Sequence, residues 1–228
     1  MNDVNDAVIL AGGRGTRMLP GSLFVPKETM PLVDIPLINH LIWEAAKAGA
    51  TRVHLVLSDR KYGILKDFIN EGLLFGEEVR PDLPREALSL GLEGVEIIPH
   101  IQTTPGGVGD AIYTAIDSVD GPFLVILGDM LLMDSHVGPS HSGTNYASSA
   151  SNKLVEMFTN SGLPVVGVCP VDYHDLSSYG VVEISDGNIV RIVEKPDTDS
   201  APSEFILCGR YIFPSNTKQI LEEYPLSD

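Results

Sequence analysis

Apolar positions in this chain follow two periods in turn, and that alternation predicts its elements. Ala7–Ala11 (AVILA) is continuously apolar, as a strand buried on both faces of a parallel sheet reads. Pro36 suits the first position of a helix, Ile38, Leu41, Ile42 and Ala45 recur at helical spacing, and Gly49 supplies the stop. Arg52–Leu57 (RVHLVL) predicts a second strand and Tyr62–Asn70 a second helix. Val95–Gln102 reads as a strand that runs into a Gly-rich loop and then a helix to about Ser118. Phe123–Leu127 (FLVIL) is short and wholly apolar, as a central strand should be. A helix from about Asn152 to Thr159, a strand over Pro164–Val171 and two strands turning at Asp186-Gly187 follow. The strand Phe205–Phe213 and a helix near Ser215–Glu223 come last. Glu71–Gly94 predicts an irregular excursion. Asp134–Ser151 predicts a surface loop or lid whose His136 and His141 read as solvated rather than metal-binding. The strand–helix–strand–helix opening predicts an α/β fold with a doubly wound, mostly parallel sheet, whose ligands bind at the carboxyl ends of the strands.

Composition narrows the class. The 228 residues suit one ample domain or two small ones, and a 43% hydrophobic content suits a globular core. With 31 acids against 15 bases the net charge is −16. That disfavours nucleic acid as a partner, because a phosphate-backbone footprint needs clustered Lys and Arg. An anionic ligand would have to rely on a local group of cations and on divalent metal. The polar, acidic N-terminus is no signal peptide and no apolar run approaches membrane-spanning length, so the expectation is a cytoplasmic protein with no membrane partner. Cys169 and Cys208 read as two buried thiols, with a disulfide as the alternative.

The chemistry concentrates after the first strand, in Gly12-Gly13-Arg14-Gly15-Thr16-Arg17, with Lys27 returning in Val25-Pro26-Lys27-Glu28. Glycines let a ligand approach the backbone, successive amides form an anion-binding concavity, and the cations add full charge. The combination points to polyphosphate handling. A P-loop is excluded because Gly15 is followed by Thr16-Arg17 rather than Lys-Ser/Thr. A dinucleotide fingerprint fails because Met18 stands where its third glycine belongs.

What remains, G-x-G-T-R-M-x-P followed by P-K-E-x-x-P, resembles the sugar-1-phosphate nucleotidylyltransferases, most closely the bacterial UTP–glucose-1-phosphate uridylyltransferases, or UDP-glucose pyrophosphorylases. The resemblance implies a Rossmann-like fold of nucleotide-diphospho-sugar transferase type over a single domain, 1–228. It also implies that the family's usual C-terminal part is absent. The expected reaction joins an NTP, most closely UTP, to a sugar 1-phosphate, most closely glucose 1-phosphate, giving NDP-sugar and pyrophosphate. Nucleotide binding would fall to Ala11, Gly12, Gly13, Gly15 and Thr16, with Gln102 and Gly107 of the second Gly-rich loop at the base. Arg17 and Lys27 would be the catalytic cations. Asp129, at the tip of the Phe123–Leu127 strand, would hold Mg²⁺. Gly180 of Tyr179-Gly180-Val181-Val182 and Glu194 would hold sugar hydroxyls, and Lys195 of Glu194-Lys195-Pro196 the sugar's phosphate. Partners would be these small-molecule substrates, with homo-oligomer formation left open.

Two departures keep alternatives in view. Asp110 stands where the uridylyl enzymes usually have His, and Ala11-Gly12-Gly13 where they tend to have Ala-Ala-Gly, so dTTP, GTP or a cyclitol phosphate are alternative substrates. A non-catalytic NDP-sugar-binding regulator is the alternative of another class. A dehydrogenase is disfavoured by the failed fingerprint.

Overall fold

The computed structural model describes residues 3–32, 35–66, 94–104, 106–134 and 147–223, with positions 69, 82 and 92 between them. The predicted excursion at Glu71–Gly94 and the loop histidines His136 and His141 lie almost wholly or wholly outside these residues. Among the described residues the strands of the main sheet are, in chain order, β1 (Asp6–Leu10), β2 (Arg52–Ser58), β3 (Glu96–Gln102), β4 (Phe123–Leu127), β5 (Val165–Pro170), β6 (Gly180–Ser185), β7 (Asn188–Glu194) and β8 (Phe205–Phe213), and the short segments Pro31–Leu32 and Ile35–Pro36 pair separately. The helices are α1 (Leu37–Lys47), α2 (59–66), α3 (Gly107–Ala115), α4 (Ala150–Ser161) and α5 (Thr217–Glu223).

One 8-stranded sheet runs β3-β2-β1-β4-β8-β6-β7, with β5 also paired to β8. β1 pairs in parallel with β2 and β4, and β2 with β3. β8 is antiparallel to β4, β5 and β6, and β7 is antiparallel to β6. Only β8 and β7 therefore run against the other strands, and the mixed, mostly parallel sheet is borne out. The β6–β7 turn falls at Asp186 (φ 50°) and Gly187 (φ 77°), the left-handed pair that a two-residue hairpin requires. Helix α2 starts at residue 59, earlier than the Tyr62 read from the sequence, because β2 passes into it with no intervening loop.

Both faces are covered, as continuous apolar runs in β1 and β4 require. Ala7, Ile9, Leu55, Leu124 and Ile126 pack against Ile38, Leu41 and Ile42 of α1 and Leu154 and Phe158 of α4. Val8, Val56 and Val125 pack against Ala111, Ile112 and Ala115 of α3. Cys208 is buried and Cys169 only half-buried; both are free thiols, and burial pushes Cys208 up to about 11.

A buried polar chain crosses β1, β2 and β3. The Asp6 carboxylate takes a hydrogen bond from Arg52 Nη2 (2.6 Å) and shares one with His54 Nε2 (2.9 Å), and His54 Nδ1 lies 2.9 Å from His100 Nε2. Burial and the neighbouring His54 push His100 below its ordinary value. The unfolded chain then binds this proton first, so His100 supports the fold at neutral pH and the support is lost as pH falls below about 6.5. Unfolding titrations at successive pH values should show this loss, and His100→Gln should remove it. An unchanged profile in the variant would contradict the assignment.

Candidate active site

The carboxyl ends of β1, β2, β3 and β4 meet around the opening loop. Ala11 N donates to Val56 O at 2.9 Å and Gly128 N to Leu10 O at 2.9 Å, so the ends of β2 and β4 are tied to the end of β1. Beyond Ala11 the chain folds back on itself in three short 3₁₀ turns, Thr16–Met18, Gly21–Leu23 and Lys27–Thr29. Ser22 Oγ closes the fold by donating to Gly15 O at 2.8 Å. The last turn brings Lys27 to the tip of β4, where Nζ donates to Asp129 Oδ2 at 2.8 Å. Burial alone would raise the Asp129 carboxyl, but the Lys27 hydrogen bond and charge and the nearby Arg17 outweigh it and hold it below the usual range. Asp129 is therefore charged at neutral pH and remains 53% exposed.

A cleft of about 380 Å³ opens beside this pair, lined among others by Gly12, Arg14, Gly15, Lys27, Arg60, Lys61 and Gln102. Small-molecule sites run about 300–1,000 Å³, so it can hold one ligand of moderate size. Four cations line it in a chain of net charge −16, so the local sign is opposite to the global one. Lys61 is 7% exposed and donates to both oxygens of Glu28 (2.9 and 2.8 Å) and to Ala11 O (2.6 Å). Burial pulls Lys61 below the ordinary lysine range, although Glu28 opposes it. The pair clamps the turn carrying Lys27 onto the end of β1. Arg60 of the same helix donates to Leu23 O.

Gln102 ends β3. Its Nε2 donates to Asp110 Oδ2 at 2.6 Å, and its Oε1 lies where a side chain on residue 12 would go, 2.7 Å from a Cβ built on Gly12. Only glycine leaves that space open.

Of the residues singled out by sequence, Gly12, Gly15, Lys27 and Gln102 line the cleft. Ala11 reaches it through Lys61, and Asp129 through Lys27. Arg17 is exposed and acts on Asp129 by charge. Gly13, Thr16 and Gly107 are not among the residues that line the cleft, and Gly107 is the first residue of α3. Gly180, Glu194 and Lys195 form a separate group. Gly180 faces Glu194 across the β6–β7 ladder, and Lys195 Nζ lies 3.0 Å from Glu194 Oε1. Lys195 itself has φ 44°, an uncommon conformation for a side-chain-bearing residue, fixed by Lys195 N donating to Tyr179 O at 3.0 Å.

Sequence reasoning missed Lys61 and Arg60. Lys61 falls in the first turn of α2, where a lone lysine carries no signal; only Glu28, beside Lys27, hinted that a counter-charge was needed.

The model of the nucleotidyl transferase family matches residues 6–227. The chain belongs to this family. Among curated relatives, it is 32% identical over 232 residues to the UTP–glucose-1-phosphate uridylyltransferase of Haemophilus influenzae, spanning 96% of this chain and 76% of that one. It is 31% identical over 221 residues to UTP–glucose-1-phosphate uridylyltransferase 2 of Staphylococcus saprophyticus, spanning 93% of this chain and 72% of that one. Among solved structures, the UTP-bound UGPase of Acinetobacter baumannii superposes with a TM-score of 0.81 at 28% identity, over 98% of this chain and 79% of that one. A UDP-glucose pyrophosphorylase complexed with UDP-glucose gives a TM-score of 0.77 at 28% identity, over 96% and 80%. The nucleotide-diphospho-sugar transferase fold expected from the sequence is thus the one these structures share.

Proposed function

We propose that this nucleotidyl transferase joins UTP to glucose 1-phosphate, releasing pyrophosphate and UDP-glucose. The observation that carries the reading is the cationic cleft at the strand ends, closed on one side by Lys27–Asp129 and on the other by the Gln102 amide. The sugar phosphate is already an anionic nucleophile, so no covalent enzyme intermediate is required. Its oxygen attacks the α-phosphorus, a new P–O bond forms, and the bond to the β-phosphate breaks as pyrophosphate leaves with its electron pair. The task is positioning and charge stabilisation.

Arg17 and the amides of Gly12–Thr16 take the β- and γ-phosphates. Lys27 faces the reacting phosphates, and Gln102 with the Gly107 backbone meets the base. Gly180 and Glu194 hold sugar hydroxyls while Lys195 holds the attacking phosphate. Glu194 and Lys195 are 69% and 54% exposed, so their mutual ion pair is weak and readily exchanged for substrate.

Among the described residues no group of three or more His, Cys, Asp or Glu side chains converges on one point. A lone charged carboxylate suits Mg²⁺, which typically takes one or two carboxylates and completes its shell with phosphates and water. Asp129 is the residue that would hold it, and the bound ion would neutralise charge on the α-phosphate. No described helix is long and apolar enough to cross a membrane, and a cytoplasmic enzyme fits that.

The test is pyrophosphate release by the purified chain with Mg²⁺ and glucose 1-phosphate across UTP, dTTP, GTP, ATP and CTP. Release with UTP above the others is expected. Release only with another nucleotide would move the specificity and keep the reaction. Silence with all five, and with other sugar phosphates, would overturn it in favour of a non-catalytic binder.

A further inference from the structure

Asp110 does not line the cleft, yet it decides which way the Gln102 amide that lines it points. A carboxylate oxygen can only accept a hydrogen bond, so the Gln102 atom 2.6 Å from Asp110 Oδ2 has to be the amide nitrogen. The amide oxygen is thereby turned the other way, into the space that Gly12 leaves empty. A second glycine makes room for the lock itself. A Cβ on Gly106 would sit 2.9 Å from Asp110 Cγ and 3.2 Å from its Oδ2. Asp110 is in the first turn of α3, where a negative charge is favoured by the helix N-terminus.

An unlocked glutamine amide can rotate by a half turn and present either an acceptor or a donor at a given point. A locked one cannot. We propose that Asp110 is a specificity-determining residue that fixes the Gln102 amide oxygen as an acceptor facing the base, so that the cleft selects nucleotides whose ring nitrogen carries a hydrogen, as in uracil and thymine. Cytosine presents an unprotonated N3 at the same place and would set two acceptors against each other. Adenine, with an unprotonated N1, is disfavoured for the same reason. The 5-methyl group lies outside this contact, so the lock does not separate UTP from dTTP. The inference rests on the proposed reading of Gln102 as the base contact.

The test compares wild type, Asp110→Asn and Gly12→Ala with UTP and CTP. Both nucleotides are titrated by calorimetry without sugar phosphate, and pyrophosphate release is followed with glucose 1-phosphate. Asparagine keeps the shape but can donate or accept, so the Gln102 amide is free to turn. The expected result for Asp110→Asn is that the UTP-to-CTP preference narrows by about 5- to 150-fold, the range that pairing one buried acceptor or leaving it unpaired commands. UTP should weaken while CTP strengthens in absolute terms. A merely structural role for Asp110 would weaken both nucleotides together. In Gly12→Ala the added methyl displaces Oε1, the free end of a flexible side chain, so the preference should narrow mainly through loss of UTP.

An unchanged preference in Asp110→Asn, by both readouts, overturns the inference while the reaction stands. A wild-type chain that prefers CTP or ATP overturns it directly. A narrowed binding preference in a chain that releases no pyrophosphate supports the lock and defeats the proposed reaction instead. A wild-type chain that binds neither nucleotide defeats both.

Discussion

Arg210→Met is expected to lower the free energy of unfolding by about 3–5 kcal/mol, the usual result of removing one member of a buried ion pair. Arg210 on β8 is 0% exposed and Glu44 on α1 is 1% exposed. Their contact is bidentate, Nε to Oε1 at 2.9 Å and Nη2 to Oε2 at 2.7 Å. Ser151 Oγ on α4 donates to the same carboxylate at 2.6 Å, and Arg210 Nη1 donates to Met130 O at 2.8 Å. Without the guanidinium, Glu44 stays buried with the Ser151 hydroxyl as its one side-chain hydrogen-bond donor among the described residues, and the chain leaving Asp129 loses its anchor. Glu44→Leu combined with Arg210→Met removes both charges and should recover most of the loss, because the pair's attraction is largely offset by its desolvation. Urea unfolding of the single and double variants checks both statements. A single-variant loss under about 1 kcal/mol would show that water reaches the site and that the pair is not buried in solution.

That pair also marks the limit of what the sequence discloses. Strands and helices were legible because their signal is local. The apolar runs of β1 and β4, the helical spacing of Ile38, Leu41, Ile42 and Ala45, and Asp186-Gly187 each specify their element within about ten residues. Part of the site was legible for the same reason, since Gly12, Gly15 and Lys27 lie within sixteen positions of one another and precede or follow recognisable elements. What the local pattern could not disclose is which distant charges meet. Glu44 and Arg210 are 166 residues apart, Ser151 and Glu44 107, and Glu28 and Lys61 33. A signal did exist. Glu44 falls among the buried positions of α1, and Arg210 falls in the inward register of β8 with Ile206, Cys208 and Ile212. Opposite charges on two inward faces have to pair, because a lone buried charge would not be tolerated. The Gln102–Asp110 contact spans only eight residues and was still missed as a pair. Its meaning lies in the orientation of an amide, which spacing does not encode.

Lys27→Met is expected to slow pyrophosphate release by about 10- to 150-fold, the loss of one charged hydrogen bond worth roughly 1.5–3 kcal/mol. The Lys27 ammonium pairs with Asp129 at 2.8 Å and lies 3.9 Å from Glu28 Oε1. Glu28 is already neutralised by Lys61, so Lys27 is not needed there. Its own partner, Asp129, is 53% exposed, and an ion pair with a half-exposed member contributes at most about 1 kcal/mol to the fold. Stability and catalysis should therefore separate in this variant, with turnover falling steeply while the urea midpoint barely moves. Lys61→Met should lower both, because it strands the buried Glu28 and releases the turn that carries Lys27. Methionine also removes the charge that holds Asp129 below the usual carboxylate range, so the Asp129 carboxyl should titrate at higher pH in Lys27→Met, a shift readable by NMR of that side chain. If turnover fell less than threefold while the Asp129 titration moved as expected, Lys27 would be a neighbour of the carboxylate and not of the reacting phosphates. The approach of substrate phosphate to Lys27 would then have to be reassigned to Arg14 or Arg60, the other cleft-lining cations outside the Glu28 clamp.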